Sequence, residues 1–232
     1  MREGDVRVTY EISSFAFAES DAEVLNRTAE EVERRIARYS NFLRYDPDGC
    51  FVAEENGRVI GVAIALRREE LWVHSTFAVE AEGRGYGVGR DLRQAVLGYG
   101  EGCEAGMIAS STHPAAMRSY ANAGFVLHPI FTAKGKFRRE RIPPTPNVRE
   151  GGLDDLDLAA DVDRRLRGAS HGPDLEFTLD GTRMLVVDGR SGRGYAVFQD
   201  GGSGSSGRPA ARRRRNCCGR VWQHRVRRYR CR

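Results

Sequence analysis

Leu71-Trp72-Val73-His74-Ser75-Thr76-Phe77-Ala78-Val79 runs into Arg84-Gly85-Tyr86-Gly87-Val88-Gly89, and these two runs together decide the fold. The first is rich in β-branched and aromatic residues and reads as a strand. Beyond the glycines, Val88, Leu92, Ala95, Val96 and Tyr99 recur at helical spacing. Glycine at every second position permits a tight turn and leaves the main chain open to a ligand. The amides of such a loop, with the first helical turn behind them, form a concave donor array suited to phosphate. Arg84 adds a positive charge at its mouth. A strand, a loop and a helix built around a pyrophosphate cradle are therefore expected here.

Absent residues narrow the ligand. A P-loop needs Lys and then Ser or Thr after its last glycine, whereas Gly89 is followed by Arg90-Asp91. The dinucleotide fingerprint needs a third glycine that both possible registers lack. Val79 followed by Arg84-Gly-x-Gly-x-Gly89 instead resembles the acyl-CoA loop of the GNAT superfamily of N-acyltransferases. Downstream, Tyr120-Ala121-Asn122-Ala123-Gly124-Phe125 is similar to that family's Tyr-x-x-x-Gly-Phe.

Working outward, Ser20-x-x-Glu23 has the form of a capping box. Leu25, Ala29, Val32, Ile36, Tyr39 and Leu43 then mark one face of a long helix, which Asp46-Pro47-Asp48-Gly49 ends with turn chemistry. Phe51–Ala53 and Val59–Leu66 flank Asn56-Gly57, the strongest short hairpin signal. After the loop helix a short strand is expected near Met107-Ile108-Ala109. Pro114 suits the start of the next helix, Gly124 its C-cap, and Phe125-Val126-Leu127 resumes as strand. This order predicts an α/β protein, a mixed central sheet flanked by helices over residues 1–140.

Residues 141–147, led by Arg141-Ile142-Pro143-Pro144, read as an extended linker. Over 148–200 the opening pattern recurs. Leu156, Ala159, Val162 and Leu166 form a helical face, and Met184–Val187 and Tyr195–Phe198 bracket a turn. Gly194-Tyr195-Ala196 echoes Gly61-Val62-Ala63. The expectation is an incomplete second GNAT-like unit, without a glycine loop and so without CoA binding.

Residues 201–232 open with a Gly/Ser linker and carry eleven arginines and no acidic residue, so the net charge of +5 conceals an acidic body. Too few apolar residues recur there to offset the ordering entropy, and disorder is expected. The segment resembles a frameshifted reading of a GC-rich gene, as the arginine bias (only Lys134 and Lys136 are lysine) suggests for a bacterial genome. Its arginines would give weak, salt-sensitive adhesion to nucleic acid, and a nucleic-acid-binding protein is the third functional class open. Cys217, Cys218, His224 and Cys231 match no zinc knuckle, and no metal is expected. Five cysteines without framework spacing suit reduced thiols in a cytoplasm, and no run approaches the roughly 18 apolar residues of a membrane span.

The resemblance implies an N-acetyltransferase moving an acetyl group from acetyl-CoA directly to a primary amine of a small molecule or peptide. By the same resemblance, the backbone of Phe77, Ala78 and Val79 would bind the pantetheine and thioester oxygen. Arg84, Gly85, Tyr86, Gly87, Val88 and Gly89 would take the pyrophosphate, with His113 and Ala116 also at the cofactor. Tyr120 corresponds to the general acid. His113 stands where many members carry Asn, which implies weakened rather than lost CoA binding. The general base is open between Glu70 and His74. A non-catalytic acyl-CoA-binding regulatory module is the alternative class, and a homodimer is compatible with either.

Overall fold

The computed structural model describes residues 1–18, 20–110, 113–128, 140, 147–189 and 192–198, to which every structural statement below refers. Most of the linker and the arginine-rich segment 201–232 lie outside them. Two units form. One comprises Met1–Ala109 with His171–Phe177; the other comprises Ser110–Ser170 and the chain from Thr178.

In the first unit, helix α1 (Val6–Phe17) follows a short 3-10 turn. Its Val6, Tyr10 and Ile12 are buried, and it packs on the third helix and across the sheet. Buried Ser13 is satisfied through Thr9 O at 2.6 Å and the Tyr39 hydroxyl at 2.6 Å. The expected long helix is instead two, α2 (Asp21–Leu25) and α3 (Ala29–Tyr45). Ser20 makes no capping bond; the capping box is Thr28 with Glu31. Thr28 Oγ1 accepts from Glu31 N at 3.2 Å, and the Glu31 carboxylate accepts from Thr28 N at 2.9 Å. The break lets Arg27 donate to Ser14 Oγ at 2.9 Å and Tyr10 Oη at 3.3 Å. Leu25, assigned to the apolar face, is therefore 74% exposed, while Phe42 is buried.

Strands β1 (Cys50–Glu55) and β2 (Arg58–Arg68) are joined by Asn56 and Gly57, both at positive φ (51° and 78°), the geometry of a two-residue hairpin turn. Strand β3 (Leu71–Val79) pairs antiparallel with β2, and helix α4 (Val88–Tyr99) leads to β4 (Ala105–Ile108), parallel to β3. The order β1-β2-β3-β4 makes a mixed sheet with β2 at its centre, where Val62 to Ala65 have no exposed surface. Ile12 and Phe42 join Val62, Ile64 and Leu66 in the core, while α4 covers the sheet where Gly61 leaves room for Leu92.

The second unit contains helix α5 (Pro114–Asn122), strand β5 (Val148–Gly151), helix α6 (Leu156–Arg167), the end of helix α7 (Pro173–Leu179), and strands β6 (Arg183–Gly189) and β7 (Gly192–Phe198). Pro114 opens α5 as expected. Phe125–Leu127 is not a strand: the Phe125 amide closes the helix by donating to Tyr120 O at 3.1 Å, with Gly124 at φ 90°, and Val126 is 73% exposed. Strands β5, β6 and β7 form an antiparallel sheet.

The two element orders agree in part. A 3-10 turn at Glu3–Asp5 precedes the twelve-residue α1, and one at Leu153–Asp155 precedes the twelve-residue α6; two helices and a hairpin follow α1, one helix and a hairpin follow α6. The inward face of α6 is rotated from the expected one. Leu166 is 51% exposed and Asp163 is buried, accepting from the Tyr195 hydroxyl at 2.7 Å.

Candidate active site

The loop begins where β3 ends. Glu80 N donates to Ile60 O at 2.9 Å, and Arg58 pairs with both Glu80 and Glu82 at 3.0 Å, which fixes the first half of the loop to the start of β2. A 3-10 turn at Ala81–Gly83 follows, and Arg84 then bends back so that its Nε donates to Val79 O at 3.1 Å. Gly85 and Gly87 both sit at φ 90°, where an L side chain is strained, and Gly87 is the N-cap of α4. The Gly87 carbonyl accepts from Arg90 N and Asp91 N at 2.8 and 3.1 Å. The preceding amides, Gly85 to Gly89, donate to no carbonyl among the described residues. These are the orphan donors of a helix start, aligned with the positive end of its dipole, and they suit a bound phosphate. Tyr86 is 85% exposed beside them, and Val88 and Gly89 are half-buried.

Sequence reading used Arg90 only to exclude a P-loop. The structure places its guanidinium at Gly87, with Nη2 3.2 Å from where a Cβ would stand, so a second cation joins Arg84 at the loop. A basic residue on the first turn of the glycine-loop helix was the signal available for it.

The wall beside the loop is the free end of β3. Rungs to β4 run from Leu71–Ala105 to His74–Ile108 and stop, while β3 continues to Val79. The register with β2 shifts at the same place, Ile64 facing Thr76 and Ala65 facing His74, so Ser75 is an extra residue. A bulge of this kind increases local twist, and here it coincides with the last rung between the parallel strands. Phe77, Ala78 and Val79 lie beyond it, at the loop end.

The two base candidates occupy different surroundings. His74 is 4% exposed, with its ring 5.6 Å from that of Trp72 and 5.4 Å from that of Phe77. Burial, partly opposed by a backbone hydrogen bond at Thr76, lowers its pKa from 6.5 to about 4. Glu70 lies exposed in the β2–β3 turn, at the other end of β3 from the glycine loop, and its carbonyl accepts from Glu104 N at 2.9 Å.

The depressed His74 value carries a stability consequence. Between pH 4 and 6.5 the unfolded chain binds a proton that the native one refuses. This stabilisation is complete above pH 6.5 and is lost as pH falls towards 4, by up to about 3 kcal/mol. Urea unfolding at pH 7 and pH 4.5 should show the loss in the wild type and a smaller one in His74→Phe. An equal pH dependence in both would show that His74 titrates normally.

His113, Ala116 and Tyr120 belong to the second unit. His113 is the exposed N-cap of α5, its carbonyl accepting from Met117 N at 3.0 Å, and Ala116 is half-buried one turn on. Tyr120 is 7% exposed, edge-on to Phe125 at 6.5 Å. Among the described residues no group of three His, Cys, Asp or Glu side chains is arranged to hold a metal, and no helix is long and apolar enough to cross a membrane.

Residues 12–125 match the sequence profile of a family described as Acetyltransferase (GNAT) family. No curated protein matches the chain. Among solved structures, a Pyrococcus horikoshii protein described as an acetyltransferase superposes with a TM-score of 0.61 at 16% identity, over 87% of this chain and 66% of that one. The chain thus spans just under two thirds of that relative, and the likeness is one of fold. Ard1 from Thermoplasma volcanium gives a TM-score of 0.44 at 20% identity, over 56% of this chain and 81% of its own. An aminoglycoside N-acetyltransferase solved in complex with CoA gives 0.40 at 18%, over 61% and 92%. Residues 12–125, which carry the sheet, the glycine loop and helix α5, are thus a domain of the GNAT acetyltransferase family.

Proposed function

We propose that the protein transfers an acetyl group from acetyl-CoA directly to a primary amine of a small molecule or peptide. One observation carries this reading: the amides of Gly85 to Gly89, lacking carbonyl acceptors among the described residues, stand at the start of α4 in the loop that follows β3. Acetyl-CoA would supply the activated thioester. The amides and the helix dipole hold the pyrophosphate, with Arg84 and Arg90 adding charge, and the backbone of Phe77, Ala78 and Val79 orients the pantetheine arm. His113 and Ala116 contribute to cofactor binding from α5. Tyr120 protonates the departing thiolate.

The base assignment divides this reading from its rival. His74, with a pKa of about 4, is a weak acceptor for an ammonium proton near neutrality, and Glu70 sits at the far end of β3. Those two placements favour a non-catalytic acyl-CoA-binding module as the second reading. The separating experiment is acetylation of a panel of amines, peptides and antibiotics read by intact mass, with CoA binding measured by calorimetry. An enzyme should turn over at least one amine, and Tyr120→Phe should lower turnover roughly ten- to a thousandfold with CoA affinity retained. Tight CoA binding with no turnover on any amine would support the binding module.

A further inference from the structure

We infer that the first unit is a discontinuous domain. The end of β2 forms a receptor for the acidic start of helix α7, which the chain supplies from beyond the linker. The anchor is Arg68, the last residue of β2 and only 6% exposed. A buried guanidinium needs acceptors for its whole fork of donors. Asp46, 1% exposed, supplies one at 2.7 Å from Nη1, and the Arg67 carbonyl supplies another at 2.6 Å. Asp46 is otherwise occupied: its Oδ1 accepts from Arg67 N at 2.8 Å and from the Tyr99 hydroxyl at 3.0 Å. The remaining face of the fork, Nε and Nη2, donates to the two carboxylate oxygens of Asp174, each at 2.9 Å. Parallel bonds of this kind add geometric selectivity to charge.

The surroundings are shaped for the same segment. Leu175 is buried beside Asp174, and Gly172, at φ 56°, passes so close that a Cβ there would stand 3.4 Å from Arg68 Cδ. Arg67 lies 5.9 Å from the centroid of the Tyr99 ring, whose hydroxyl donates to Asp46 at 3.0 Å. The interaction joins positions 106 residues apart, on either side of the linker. A piece ending near residue 140 therefore lacks a component of its own sheet end. Assembly of the domain in this way is independent of the catalytic reading.

The full chain tests it when a site-specific protease sequence is placed within 141–147 and cut. The two pieces should remain together through size-exclusion chromatography and native mass spectrometry. Asp174→Ala should weaken their association by about a hundredfold or more, because it strips a buried arginine of an acceptor. Glu176→Ala, an exposed acid on the same helix, should leave the association unchanged. Arg68→Met with Asp46→Asn and Asp174→Leu, which removes all three charges of the cluster, should restore part of what Asp174→Ala loses. Native pieces that separate on cutting would overturn the inference, as would Asp174→Ala pieces that hold together as tightly as Glu176→Ala pieces.

Discussion

Gly87→Val is expected to weaken CoA binding at least about a hundredfold while leaving the melting temperature almost unchanged. At φ 90° a β-branched residue costs roughly 1–3 kcal/mol, and the chain relieves the strain by rotating the N-cap of α4 into another conformation. That rotation turns neighbouring amides away from a common centre. Each hydrogen bond lost to a charged phosphate removes roughly 1.5–3 kcal/mol, so two suffice for the predicted loss. Stability is spared because the loop is largely exposed; the Cβ itself would meet only the end of the Arg90 side chain. Gly98→Ala is the contrast within the same helix. A Cβ there meets nothing within 4 Å, so it should add up to about 1 kcal/mol of stability without touching CoA affinity. Calorimetric titration of both variants checks the pair. Unchanged CoA affinity in Gly87→Val would show that the loop is not the phosphate site.

Arg68→Met is expected to cost about 3–5 kcal/mol and to lower the melting temperature by roughly 10 °C or more. The loss comes less from the missing attraction than from what stays behind. Asp46 remains a carboxylate in the interior with only the Arg67 amide and the Tyr99 hydroxyl to solvate it, and Asp174 loses its bidentate partner. Arg34→Ala calibrates the measurement. That residue pairs with Glu30 at 2.8 Å across an exposed helical turn, and its removal should cost less than about 1 kcal/mol. Similar denaturation midpoints for the two variants would mean that the buried charges are hydrated in solution.

The motifs legible in the sequence share one property: each is set by neighbours in the chain. Asn56-Gly57 specified a hairpin because its two residues tolerate positive φ, which a two-residue turn demands. Pro114 and Gly124 bounded α5 for equally local reasons, one lacking an amide the first turn does not need, the other adopting φ 90° to close it. The strand, loop and helix from Leu71 to Tyr99 were legible because period-2 and helical patterning meet there at glycines.

Other features depend on contacts between segments far apart in the chain. Val6, Val8, Tyr10 and Ile12 alternate as in a strand, yet the segment is helix α1, because packing on α3 and the sheet outweighs a weak local pattern. The helical pattern across Asn26–Thr28 is continuous, yet the helix breaks where Arg27 reaches Tyr10 and Ser14 on α1. Phe125–Leu127 has strand composition, but a strand requires a partner's ladder and the Phe125 amide is committed to the helix end. His74 differs from a titrating histidine only through its burial between Trp72 and Phe77. The α/β order and the glycine loop can be read along the chain, since local backbone preferences suffice for both. Which charges are buried, and that Asp174 completes the end of β2, depend on contacts between distant segments, and no local pattern encodes those.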